Sequence, residues 1–198
     1  GTYTSTQDGH VVNMLGKAVT LRSSDPTDPD IVAATIIDGE DTRRGLACFN
    51  EETSKTIISG FTITNGYGVD FDYSGDGNGN GREGGGMYNW YSSPTLTDCT
   101  FTNNAVSYSF GGGMYNYANS NPSLTRCAFN GNTSYYAGGG MYNTNSSPTL
   151  MDCTFENNTT YYSGGGMAND NKSNPTLTDC IFENNRAYYN GGGMHNNE

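Results

Sequence analysis

Glycine triplets open at Gly84, Gly111, Gly138, Gly164 and Gly191, so successive starts lie 27, 27, 26 and 27 residues apart. Pro94, Pro122, Pro148 and Pro175 keep nearly the same beat, as do Cys99, Cys127, Cys153 and Cys180. A fixed period of this size specifies a solenoid, because a unit this short cannot bury its apolar side except against its neighbours. The period therefore constrains architecture far more tightly than chemistry.

Within one repeat, residues 111–137, three short extended stretches are bounded by Gly, Pro and Asn, and no helical apolar spacing interrupts them. They run through Met114, through Leu124, and through Cys127 to Phe129. The inward set is then one Met, one Leu, one Cys and one Phe per coil. Its columns read Met87, Met114, Met141, Met167; Cys99, Cys127, Cys153, Cys180; and Phe101, Phe129, Phe155, Phe182. Three strands in 26–27 residues fit a parallel β-helix of about seven coils. The recurring asparagines (Asn89, Asn116, Asn143, Asn169, Asn196 and Asn104, Asn132, Asn158, Asn185) read as stacked corner residues, since Asn tolerates left-handed backbone. Equivalent cysteines on adjacent coils stand about 4.8 Å apart, too far for an unstrained disulfide, and read as free buried thiols.

Residues 1–83 follow the grammar loosely, with Phe61 in the cysteine slot, and carry a Gly/Asp/Asn-rich insertion at 66–83. Residues 84–198 hold the regular repeats, the last incomplete. Both ends read as cut within the repeat grammar. The segments Gly16-Lys-Ala-Val-Thr-Leu-Arg22, Thr35-Ile-Ile-Asp-Gly39 and Ser59-Gly-Phe-Thr-Ile-Thr-Asn-Gly66 resemble the opening of pectin-lyase-like right-handed β-helix proteins. The later repeats are similar to those of bacterial surface β-helix proteins of the polymorphic outer-membrane type, with Gly-Gly-Gly-Met paired to Phe101–Asn104, Phe129–Asn132, Phe155–Asn158 and Phe182–Asn185. The resemblance implies an all-β, right-handed, single-stranded helix. It also implies an exported, cell-surface or extracellular setting.

The net charge of −11 makes nucleic acid an unsuitable partner, since phosphate contacts need clustered Lys and Arg. No apolar run is long enough to span a membrane. In the insertion, Asp76, Asn78 and Asn80 precede Gly81 with the alternating oxygen spacing of a Ca²⁺ loop. The bidentate Glu expected at position twelve is missing, since Met87 stands there, so Asp70, Asp72 or Glu83 would have to complete the set. Ca²⁺ is the one candidate cofactor.

Asp98, Asp152 and Asp179 stack at one repeat position with Arg126 between the first two, a charge-compensated row rather than a catalytic pair. A row repeated on every coil is scaffold, whereas catalysis needs one coil to differ, so a non-catalytic protein is expected. His195 sits in the slot of Tyr88, Tyr115 and Tyr142, and His10 reads as isolated. Tyr108, Tyr135, Tyr161 and Tyr188 each precede a glycine triplet by three residues and form a candidate packing or binding face, open to surface glycans or to a neighbouring subunit. The expected function is a structural protein stacking head to tail with copies of itself into a filament or fibrous layer. An adhesin or carbohydrate-binding module is the alternative, and a polysaccharide lyase or hydrolase stands behind both.

Overall fold

The computed structural model describes residues 1–4, 9–68 and 83–197. All strand pairing in it is parallel, and three sheets run the length of a β-solenoid. The first stacks seven strands from Thr2–Tyr3 through Thr62–Thr64 and Thr100–Thr102 to Ile181–Glu183. The second stacks seven from His10–Asn13 through Arg44–Cys48 and Met87–Trp90 to Met194–Asn196. The third stacks six from Thr20–Arg22 to Thr176–Thr178. Each winding visits the sheets in the same order, and register is kept from coil to coil: Met114 lies over Met141, Leu124 over Leu150, Phe129 over Phe155.

The expected count of seven coils is slightly high, for the chain makes about five turns. The outermost strands do not close windings. The opening strand is two residues long, and Met194–Asn196 is not followed by a strand of the third sheet. Two elements were not expected from the sequence. Pro29–Ala34 forms a short helix, capped by Asp28, whose carboxylate accepts from the backbone N–H groups of Asp30 and Ile31. In the last three coils a fourth, two-residue strand pairs Thr133–Ser134, Thr159–Thr160 and Arg186–Ala187.

The core is one continuous column. Ile37, Leu46, Ile58 and Ile63 of the irregular coils are buried in the same cluster as Met87, Leu96, Cys99 and Phe101 and their later equivalents. The insertion therefore interrupts the sequence pattern but not the core, since Leu46 pairs with Met87 and Ile63 with Phe101 across it. Phe101, Phe129, Phe155 and Phe182 stack face to face at 4.8, 4.7 and 4.7 Å, with ring planes within 5° of parallel. Such contacts carry energy beyond the area they bury.

Asparagine does two jobs here, and the structure divides them between neighbours. Asn103, Asn157 and Asn184 take the left-handed corner at φ 54°, 56° and 53°. The next residues, Asn104, Asn132, Asn158 and Asn185, turn their amides into the coil. Asn132 Nδ2 donates to Phe101 O at 2.9 Å and to Asn158 Oδ1 at 3.0 Å, and its Oδ1 accepts from Asn104 Nδ2 at 3.0 Å and Asn104 N at 3.1 Å. The second column is not at a corner at all. Asn89, Asn116, Asn143 and Asn169 lie within strands, each donating to the next amide at 2.7–2.8 Å. Buried amides of this kind are tolerated because each pairs with the next along the column, and only at its head does Asn89 Oδ1, which faces Cys48 in the preceding coil, lack a partner.

The glycine triplets answer to sterics. Gly111 holds φ at 66°, and a Cβ on Gly112 would stand 2.4 Å from Thr133 O and 2.7 Å from Gly139 O. The chain crosses the next coil too closely there for any side chain.

Candidate binding face

Besides the core column, the structure has a second apolar cluster on the outer side of the second sheet. Tyr88, Tyr115 and Tyr142 point away from Met87, Met114 and Met141, as alternation requires, yet they are buried. Phe110 covers Tyr142 at 4.6 Å, and Tyr115 packs Tyr88 at 5.1 Å and Tyr142 at 5.5 Å. Burial pushes the Tyr115 hydroxyl far above its ordinary value.

At the head of this cluster the expectation that His10 is isolated is overturned. His10 Nδ1 lies 3.2 Å from an Arg44 guanidinium nitrogen, and its ring meets Phe49 edge-on at 5.1 Å. Arg44 is fully buried. Its Nε donates to Gly84 O at 3.0 Å, its Nη2 donates to Glu83 O at 2.7 Å, and its guanidinium lies over the Tyr88 ring at 5.0 Å. Burial, then the Arg44 charge, lower the His10 pKa to about 3. Burial raises the Glu83 carboxyl. Nothing repeats in this contact, so periodicity gave no signal for it.

Of the candidate Ca²⁺ ligands, Asp70, Asp72, Asp76, Asn78 and Asn80 lie outside the described residues. Glu83 alone is described, beside Arg44. Among the described residues no three His, Cys, Asp or Glu side chains gather to hold a metal ion, and no helix is long and apolar enough to cross a membrane.

All five cysteines are free. Cys99, Cys127 and Cys153 are buried in register. Hydrogen bonds with the Cys153 and Cys99 thiols, and then burial, push Cys127 well above its ordinary value. The charged row also falls in place. Asp98, Arg126, Asp152 and Asp179 occupy the corner between the third and first sheets, all at φ 51–54°.

The tyrosine row runs over four successive coils. Tyr108, Tyr135, Tyr161 and Tyr188 form one file with centroid separations of 4.9, 5.1 and 5.3 Å, the last two pairs within 12° of parallel. Tyr136, Tyr162 and Tyr189 form a second file at 6.0 and 5.3 Å. The files meet edge to face, as in Tyr161 against Tyr162 at 5.1 Å and 79°. Stacking covers the ring faces between Tyr135, Tyr161 and Tyr188 and between Tyr162 and Tyr189, so solvent meets ring edges and hydroxyls there. Tyr108 is instead tilted at 48°, and the end rings Tyr108 and Tyr188 are the most exposed of the file. Beside the first file runs a groove of about 290 Å³ lined by Thr133, Thr159, Tyr135, Tyr161, Tyr188 and Arg186. Among the described residues no carboxylate lines it.

Parallel register, three sheets and inward Met, Leu, Cys and Phe columns define a parallel β-solenoid. Residues 34–198 match the family model described as the right-handed beta helix region, and the chain belongs to that family. No curated protein and no solved structure matches it.

Proposed function

We propose that this chain is a non-catalytic extracellular structural protein, a rod whose rungs propagate by stacking head to tail into a filament or fibrous layer. The observation that carries the reading is the unbroken register. From the rung of Met114 onward, each rung offers its successor the same strand ladder and the same asparagine donors that it takes from its predecessor. The rung holding Leu177, Phe182 and Met194 offers half-buried core side chains in addition. A following rung supplied by the same polypeptide or by a second copy would extend the same parallel ladder, and heterologous contacts of this kind generate open polymers. The likeness of the repeats to those of bacterial surface β-helix proteins supports an extracellular setting, and the charge-balanced Asp98–Arg126 row supports a scaffold role.

Electron microscopy with sedimentation velocity tests this. Rods that lengthen with protein concentration are expected. Strictly monomeric particles at the highest concentration would overturn it.

A second reading, a glycan-binding module, is favoured by the groove of threonine hydroxyls and tyrosine edges beside Arg186. Binding on a glycan array, lost in Tyr135→Ala/Tyr161→Ala, would support it over the first.

A further inference from the structure

We propose that the tyrosine ribbon is an oxidative cross-linking site, joining one copy of this chain laterally to another through dityrosine. This goes beyond end-to-end stacking and does not depend on it.

The geometry argues the point in three steps. First, stacking leaves the ring edges outward, and these carry the phenolic oxygen and the two ortho carbons. Tyr108 and Tyr188 are 69% and 66% exposed, and both rings of the Tyr161–Tyr162 pair are about two-fifths exposed. Second, coupling inside one molecule is disfavoured. Tyr135 and Tyr161 lie face to face at 5.1 Å and 3°, tethered on adjacent coils about 4.8 Å apart. A bond between ortho carbons would set the rings end to end and drive their tethers apart, which the strand ladder resists. Between files the rings meet edge to face, as for Tyr135 and Tyr162 at 76°. Where the Tyr161 and Tyr189 hydroxyls reach each other the rings stand at 74°, and the strand ladder resists turning them into line for an ortho–ortho bond. The reacting partner is therefore another copy, presenting the same edges. Third, the approach is electrostatically open. The chain carries a net charge of −11, yet among the described residues no carboxylate lines the groove beside the file, and Arg186 does.

The oxidant is hydrogen peroxide acting through a haem peroxidase. Each of two phenols gives up one electron and its hydroxyl proton, and the peroxide is reduced to two waters. The two phenoxyl radicals form one carbon–carbon bond between ortho positions. The proton on each of those carbons then moves to its own phenolic oxygen, and both rings regain aromaticity. Ring contacts of 4.9–6.0 Å along and between the files let a vacancy formed on one tyrosine pass to whichever ring meets the partner. Buried Cys99, Cys127 and Cys153 are shielded from the oxidant.

The test treats dilute purified protein with peroxide and a haem peroxidase. It reads denaturant-resistant dimer, dityrosine fluorescence and the cross-linked peptides by mass. Expected is dimer whose cross-links map to the ribbon. A variant with its seven ribbon tyrosines changed to Phe keeps the rings and loses the dimer, whereas Tyr3→Phe/Tyr91→Phe/Tyr117→Phe retains it. Dimer persisting in the ribbon variant, cross-links mapping to Tyr3 or Tyr91, or dityrosine confined to monomers would each overturn the proposal. Should the ribbon variant not fold, the second variant and the peptide map decide.

Discussion

Arg126 reaches back one coil to Asp98, its Nε 2.7 Å from Oδ1 and its Nη2 2.9 Å from Oδ2, and both residues hold left-handed backbone. The corner slot is otherwise filled by Asp152, Asp179 and, one coil before Asp98, Gly60, types that tolerate positive φ. Arginine here balances conformational cost against charge relief. At an exposed site the pair contributes about 0.2–1 kcal/mol. Arg126→Asn therefore changes the melting midpoint little, because relieved backbone strain offsets the lost pair. Arg126→Asp lines up four carboxylates and lowers the midpoint, by an amount that shrinks as salt is added. Thermal melts of both variants across a salt series check this, and a salt-independent loss in Arg126→Asp would contradict it.

The amide column sets a larger penalty. Asn132→Ala strips partners from Phe101 O, Asn104 N and Asn104 Nδ2, all inside the coil. With about 1–3 kcal/mol for each buried polar group left unpaired, the loss reaches several kcal/mol. Asn157→Ala, at the exposed corner one coil later, costs about 1 kcal/mol, because alanine lacks the amide that favours the left-handed region and that donates to Asn130 Oδ1. Urea titrations of the two variants should separate them clearly.

Acid weakens the fold through His10. Its ordinary value is 6.5 and its folded value about 3, so between those limits the unfolded chain binds the proton and the folded chain does not. Stability present above pH 6.5 is lost as pH falls, by at most about 1.4 kcal/mol per pH unit. Glu83 acts oppositely above its ordinary 4.5, where the folded state keeps its proton longer. Removing the imidazole, as in His10→Gln, reduces the acid loss. Urea midpoints at about pH 7 and about pH 5 measure it, and equal wild-type and variant losses would refute the assignment.

Thiol titration reports the core. Cys48, Cys99, Cys127 and Cys153 are buried and Cys180 is half-buried. A thiol-specific reagent should find one reactive cysteine in the native protein and all five after unfolding, and Cys180→Ser should remove the native signal.

What the sequence made legible was whatever it repeats. Leu124, Cys127 and Phe129 recur at fixed offsets, and each lies in the interior column where its offset placed it. Phe61 standing in for cysteine was readable for the same reason. The asparagines were recognised as columns but misplaced. Asn104 and Asn116 share a residue type with the corner residue Asn103, and only the backbone tells them apart. Tyr115 escaped because alternation assigns a direction and not a cover, and Tyr88, Tyr117 and Tyr142 supply the cover. The meeting of His10, Arg44 and Glu83 is a single event between distant segments, so no period announces it.

The tyrosine files were visible as a row, but their stacking, which hides the faces a sugar would use, came only from the coordinates.

Every amide in the two asparagine columns points the same way, its oxygen toward the preceding coil and its nitrogen toward the next. Aligned dipoles add, as they do along an α-helix. The two columns thus contribute a dipole along the solenoid axis, negative toward the first coils and positive toward the last. Growth by stacking would be vectorial, and an applied field would orient the assemblies along their length.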